Sequence, residues 1–273
     1  MSEDITAPDF NTVVDSRYGR LIVNRNDIYI GQAVIRYGEY SQQEFALFET
    51  LCRPGDIVVE VGANIGAHTI GLSQLVGAGG RIVAVEPQPI VFQTLCGNMA
   101  LNSITNVDCL NLALGNETGH ITVPPLDYRA RGNFGGVSLG DETAGWRVEQ
   151  RRLDDIFQYP RLRLLKIDVE GMEAAVLAGA GATIEKLRPL IYLENDRIEK
   201  SKALIEALFA LDYELWWHVP PLFNPDNFRG DTENAYGNIV SINMLGVHKS
   251  VNTKIALTKV VNAEDHPMKN RKG

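Results

Sequence analysis

The chain has 273 residues, 45% of them hydrophobic and 22% charged, with a net charge of −8. That length can bury a full core as one α/β domain. The acidic balance disfavours a broad nucleic-acid footprint, which needs a basic surface. Cys52, Cys96 and Cys109 form no C-x-x-C pair and read as reduced core residues. The start Met1-Ser2-Glu3-Asp4 lacks an apolar signal core, and no apolar run is long enough to span a bilayer, so a cytoplasmic location is expected.

Residues 1–40 read as a β-rich extension, with Arg20–Val23 and Asp27–Ile30 flanking Asn24-Arg25-Asn26 as a hairpin. Ser41 and Glu44 form a capping-box pattern that opens a helix to about Leu51, and Pro54-Gly55 stops it. Strands and helices then alternate: strand 57–61, helix 66–76, strand 81–85, helix 89–101 with Pro89 in its first turn, and strand 107–111. This alternation predicts a parallel, doubly wound sheet. Between about 115 and 155 the pattern breaks. Short strands at 119–123 and 146–149 flank the Gly-rich Arg129–Ser138 insert, which is either a flexible excursion or a functional loop. Strand 162–168, helix 173–187, strand 190–194, helix 196–211 and strand 213–218 follow. After a loop from Val219 to Gly237, Ile239–Leu245 forms a last strand. Past about residue 262 the chain is polar, and its end is expected to be disordered.

The most telling stretch is Asp56-Ile57-Val58-Val59-Glu60-Val61-Gly62-Ala63-Asn64-Ile65-Gly66, a short apolar strand running into a glycine-bracketed turn and a helix. Gly62 removes a Cβ where the backbone must turn and approach a ligand. N–H groups at the start of the next helix can face a polar ligand. The next strand ends at Glu86-Pro87, and a carboxylate there suits the two hydroxyls of a ribose. A dinucleotide site reads G-x-G-x-x-G, but Asn64 stands where the middle glycine belongs. Glu60, two residues before Gly62, repels a phosphate and suits the ammonium of an amino-acid ligand. Glu60, Gly62 and Glu86 together resemble the S-adenosylmethionine site of class I methyltransferases. An NAD-type oxidoreductase and a non-catalytic nucleotide-binding protein are the alternatives.

The second half carries Lys166-Ile167-Asp168-Val169-Glu170-Gly171-Met172-Glu173 and Arg188-Pro189-Leu190-Ile191-Tyr192-Leu193-Glu194. With the Gly62–Gly66 turn, the Glu86-Pro87 step and Ala113-Leu114-Gly115, these resemble the FkbM-type methyltransferase family over roughly residues 40–245. The resemblance implies a Rossmann-like class I fold: a seven-stranded, mostly parallel sheet with helices on both faces and an antiparallel last strand. It places the methyltransferase domain at 41–248, followed by a tail at 249–273. For S-adenosylmethionine it implies contacts from Glu60, Gly62, Ala63, Asn64, Gly66, Glu86, Pro87, Asn111, Ala113, Leu114 and Asp168, with Glu60 and Gly62 at the methionine part, Glu86 at the ribose and Asn111–Leu114 at the adenine. Known members methylate hydroxyls on sugars and natural products, so the implied activity is O-methylation of a small molecule, first of all a sugar or glycoconjugate. There is no N-P-P-Y-like amino-methylating motif.

Methyl transfer to a hydroxyl needs alignment, exclusion of water and help with proton loss. Asp168, Glu194, Asn195 and His218 fall at strand ends where such help is needed. One acid after the fourth core strand and an acid–Asn pair after the fifth are similar to metal-dependent catechol-type O-methyltransferases, a set that suits Mg²⁺ or Ca²⁺. Glu194 pairing with Arg197 would leave no such set. Asp168 either serves the site or orients the next helix, and Glu170 and Glu173 either act directly or favour that helix's N-terminus. His218 is either a general base or a packed strand residue. For the acceptor pocket, Arg131, Asn133, Ser138, Asn224, Asn227, Arg229 and Asn234 offer polar groups, and Trp216, Trp217, Phe223 and Phe228 offer flat faces. The other reading of the second loop is a solvated segment held by its own asparagines.

Overall fold

The computed structural model of the chain describes residues 10–137, 144–252 and 254–270. It opens with a hairpin of β1 (Asn11–Ser16) and β2 (Gly19–Asn24), turned by Arg17-Tyr18. This corrects the expected hairpin about Asn24-Arg25-Asn26. Asn24 Oδ1 accepts the Asn26 amide, a local turn that ends the strand. Asp27 Oδ1 then accepts the Tyr29 amide, and the segment read as a second strand leads into helix α1 (Ile30–Tyr37). Helix α2 (Gln42–Leu51) starts where predicted but without the capping box. Ser41 has a left-handed backbone, and its hydroxyl donates to Glu44 Oε1 at 2.8 Å instead.

Next come β3 (Ile57–Val61), α3 (Ala67–Val76), β4 (Arg81–Val85), α4 (Pro89–Leu101) and β5 (Val107–Leu110), close to the predicted bounds. The irregular insert holds β6 (Ala113–Leu114), β7 (Gly119–Val123) and β8 (Trp146–Arg151), which form their own small sheet in the order β6-β8-β7. After α5 (Leu153–Ile156) and β9 (Leu164–Ile167), the predicted single helix 173–187 is two, α6 (Glu173–Gly179) and α7 (Gly181–Leu187). Gly179 sits so close to Gly115 that a Cβ would strike the Gly115 carbonyl. The second helix is capped from outside, by Asp154 accepting the Ala182 and Thr183 amides. Then follow β10 (Leu190–Glu194), α8 (Ile198–Ala210), β11 (Tyr213–His218), β12 (Asn243–His248) and β13 (Thr258–Lys259). The last predicted strand thus starts four residues late, and 239–242 stay irregular.

Among the described residues the main sheet has eight strands in the order β13-β11-β12-β10-β9-β3-β4-β5. The run from β10 to β5 is parallel, and β12 is antiparallel to both its neighbours. The seven expected strands are joined by the two-residue β13 on the outer edge of β11. Side chains alternate between faces with period two. Val58, Ile82, Ala84, Leu164 and Tyr192 pack with Phe45, Phe48, Ile70 and Leu95 on one face. Val59, Val83, Val85, Leu165 and Ile191 pack with Val176, Ile184, Leu204 and Leu208 on the other. Helices on both faces explain why these strands are almost wholly apolar.

The hairpin is stitched to α4 by side-chain amides. Asn98, fully buried, bonds both the N–H and the carbonyl of Ile22, and Asn102 does the same for Arg20. Residues 254–270 of the tail return to the sheet, and the chain end expected to be disordered lies outside the described residues. The Val260 amide bonds the Leu215 carbonyl, and a 3-10 turn at Pro267–Asn270 follows. His266 is buried between Trp217 and the Asn195 carbonyl, which its Nε2 reaches at 3.1 Å. The Met268 amide donates to His266 Nδ1, so Nε2 is the ring nitrogen that carries the hydrogen.

Candidate active site

A cavity of about 520 Å³ opens at the carboxyl edge of the parallel strands, where open α/β sheets bind ligands. Its first wall is the turn after β3. Gly62 has φ 83°, and a Cβ there would run into the Asp168 carbonyl, so only glycine lets β3 and β9 come this close. The turn's amides are engaged within the protein. Those of Gly62 and Ala63 bond the Val85 carbonyl, that of Asn64 bonds Glu86, that of Ile65 bonds Asn64 Oδ1, and that of Gly66 bonds the Ala63 carbonyl. The turn's own amides thus offer no cradle for a pyrophosphate, while the amides expected to face a ligand are the first of α3, whose Ala67 and His68 line the cavity.

Glu86 is buried at the end of β4. Its two oxygens accept the Asn64 amide at 3.0 Å and the Gln88 amide at 2.9 Å, leaving further lone pairs toward the cavity. Burial pushes its carboxyl up to about 7, although the two amides pull it down. Asn111 does not line the cavity. Its side-chain amide holds the Glu86 and Pro87 carbonyls and so positions Glu86 from behind. Gly66 is also off the cavity, against Leu95 and Met99. Glu60, Gly62, Ala63, Asn64, Glu86, Pro87, Ala113, Leu114 and Asp168 do line it.

Lys166, buried in β9, bridges the two carboxylates next to it. Its Nζ lies 3.6 Å from Glu60 Oε1 and 3.4 Å from Asp168 Oδ2. Burial opposes its charge, but Asp168, Glu60 and Glu44 outweigh burial and raise the ammonium above its ordinary range. Thr69 donates to the other Glu60 oxygen at 2.7 Å. His68 lines the cavity too, with Nε2 3.2 Å from the Tyr40 carbonyl. Burial, then Lys166, push its ring down to about 4, so it is neutral at pH 7. Sequence reasoning missed Lys166, His68, Tyr40 and Glu44. Only Lys166 left a signal, a lysine inside the otherwise apolar Leu164–Ile167 strand.

On the far side, single carboxylate oxygens of Asp168, Glu170 and Glu194 lie within 4.8 Å of one another. Asn195, expected beside Asp168 and Glu194 in a metal set, does not line the cavity. Its Nδ2 turns away to Ser201 Oγ and Met244 Sδ, because its backbone ties β10 to Ile242 and its carbonyl to His266. Arg197 pairs with Glu170 at 2.8 Å, not with Glu194. Burial, then the charge of Asp168, push Glu194 up to about 10, so it carries a proton at pH 7. Burial and Asp168 likewise raise Glu170 to about 7, against the pull of Arg197. Without a cation, the repulsion among these acids is relieved by Arg197 and a proton, and the expected trio of Asp168, Glu194 and Asn195 is not the one brought together.

His218 does not reach the cavity. Its Nδ1 is 2.8 Å from the Tyr192 hydroxyl and the ring packs on Tyr192, which favours the packed-strand reading. Glu173 bonds the Gly171 amide and orders the turn before α6. Of the expected acceptor residues, Asn133 lines the cavity, Arg131 is exposed away from it, and Ser138 lies outside the described residues. Asn224 bonds Glu39, Asn227 bonds the Asn224 and Asp231 carbonyls, Arg229 bonds the Asp15 carbonyl, and Asn234 bonds Gly237. The loop is held partly by its own asparagines and partly by Asp15, Arg17, Arg36 and Glu39 of the N-terminal elements. Trp216 and Trp217 are core, Phe223 packs on Tyr37, and Phe228 is exposed.

Strand order, the antiparallel β12 and a cavity at the ends of β3, β4 and β9 define a class I methyltransferase. The chain resembles a SAM-dependent O-methyltransferase from Thermotoga maritima with a TM-score of 0.50, at 11% identity over 90% of this chain and 80% of that one. Residues 60–216 match the pattern of the methyltransferase FkbM domain, and the chain belongs to this family of S-adenosylmethionine-dependent methyltransferases. Methyltransferase sdnD from Sordaria araneosa is 30% identical over 188 residues, 55% of this chain and 70% of that protein. Hexuronic acid methyltransferase AglP from Haloferax volcanii is 26% identical over 160 residues, and the chain spans 64% of its length. Among the described residues no helix is long and apolar enough to cross a membrane.

Proposed function

We propose that this methyltransferase acts on a hydroxyl of a small molecule, with sugar-bearing compounds as the working acceptor class. One observation carries the donor site: the acid and ammonium groups on the cavity wall are carboxyls except for Lys166, which is already shared by Glu60 and Asp168. Such a wall suits a donor with an ammonium and a sulfonium and repels phosphates. When bound, S-adenosylmethionine supplies an electrophilic methyl carbon. In this reading Glu86 holds the ribose hydroxyls, Glu60 faces the amino-acid end, and Gly62, Ala63, Pro87, Ala113 and Leu114 border the rest. Residues 41–248 form the methyltransferase unit and 1–40 an extension, of which residues 10–40 pack on it.

Asp168 takes the acceptor's hydroxyl proton. It lies between the two sides of the cavity, is partly open to it, and is positioned by Lys166. Glu194, already protonated, is a poorer base, and His218 is out of reach. The likeness to a hexuronic acid methyltransferase supports a sugar acceptor. Calorimetry with S-adenosylmethionine tests the donor site: Glu86→Ala is expected to bind roughly ten- to a hundredfold more weakly, from loss of hydrogen bonds to a charged group. Labelled methyl transfer into extracts, read by mass spectrometry, tests the acceptor. A product labelled on nitrogen or carbon rejects the hydroxyl reading, and absence of donor binding rejects the whole.

A further inference from the structure

We infer that Ile239 and Met268 set acceptor specificity, selecting an uncharged molecule that carries an aliphatic body beside the hydroxyl to be methylated. This rests on the proposed function and adds the acceptor's chemistry to it. The cavity side over β9, β10 and β12 is walled by Met172, Ile198, Leu222, Ile239, Val240 and Met268, with no aromatic platform among them. Ile198 and Ile239 stay 44% and 42% exposed, so the mouth offers apolar surface that a ligand with matching surface would cover. A bare sugar leaves that surface wet.

Charge narrows the class further. Asp168, Glu170, Glu194 and Asp196 lie beneath this wall. Arg197, beside them, is engaged at 2.8 Å with Glu170 and at 3.7 Å with Asp196. Of these acids, Asp168 and Asp196 would repel a carboxylate or phosphate on the acceptor at short range, while Glu194 holds a proton and Glu170 is paired with Arg197. The family match ends at residue 216, so Leu222, Ile239, Val240 and Met268 all come from beyond it. Met268 is held there by the docked tail, through His266 on the Asn195 carbonyl and the Lys202–Glu264 pair at 2.6 Å.

The test uses the full chain loaded with S-adenosylhomocysteine and three probes by calorimetry: hexyl β-glucoside, methyl β-glucoside and methyl β-glucuronide. Hexyl glucoside is expected to bind at least about tenfold more tightly than methyl glucoside, as buried methylenes require, and the glucuronide most weakly. In Ile239→Asp and Met268→Asp, which retain S-adenosylhomocysteine binding if folded, the hexyl advantage is expected to shrink at least about fivefold. Equal affinity for the two glucosides, tighter glucuronide binding, no measurable hexyl glucoside binding, or an unchanged advantage in both variants overturns the inference. Failure of the wild type to bind S-adenosylhomocysteine overturns the proposed function instead.

Discussion

The two sides of the cavity are built in different ways. The side over β3 and β4 comes from one strand–turn–helix and the next strand end, and its turn amides are bonded inside the protein. The side over β9, β10 and β12 is assembled from the β9 and β10 ends, a loop and the docked tail. Backbone hydrogen bonds fix the first, and side-chain packing and ion pairs fix the second. A backbone-fixed wall tolerates little change, whereas a wall of packed side chains can be altered residue by residue without unfolding the sheet.

The largest effect should come from breaking the backbone-fixed side. Gly62→Ala puts a Cβ onto the Asp168 carbonyl at a left-handed φ, and thermal melts should show a loss on the order of 3 kcal/mol or more. Asp168→Asn should slow methyl transfer by roughly a hundredfold or more with donor affinity changed less, while His218→Ala should stay within a few-fold. The reverse order of these two variants would return the base to His218. Glu194 links the packed side to pH. Its folded carboxyl titrates at about 10, above the unfolded value, so between pH 7 and 8.5 the folded protein holds a proton the unfolded chain has released. Stability of the unliganded protein should therefore fall as pH rises, on the order of 1.4 kcal/mol per pH unit, and Glu194→Gln should flatten that slope. The smallest expected effect is that of EDTA. Activity should be unchanged, and loss with recovery on Mg²⁺ would show that a cation displaces the proton and Arg197.

The difference between the two sides also explains what the sequence reveals. Glu60, Gly62 and Glu86 are legible because a strand end, a turn and a following helix are local features with their own periodicity and breakers. Asn195 and His218 are misleading because position at a strand end does not say which way a side chain turns. Asn195 is drawn into the core by Ser201 and Met244, and His218 by Tyr192. Helix α1 is hidden because Asp27 and Asn24 redirect the chain through their own backbone, which reads like hairpin chemistry. The docked tail is illegible because Val260 and His266 find partners, Leu215 and Asn195, only after the sheet has formed.

The amides of Asn98 and Asn102 have a consequence beyond holding β2 in place. The outward N–H and carbonyl groups of Arg20 and Ile22 are those a neighbouring chain's strand would need for pairing. Asn98 on α4 and Asn102 at its C-cap occupy them in alternating register, as a strand would, but from side chains. On that side the hairpin therefore offers no open edge for strand addition, and β2 is guarded against edge-to-edge pairing.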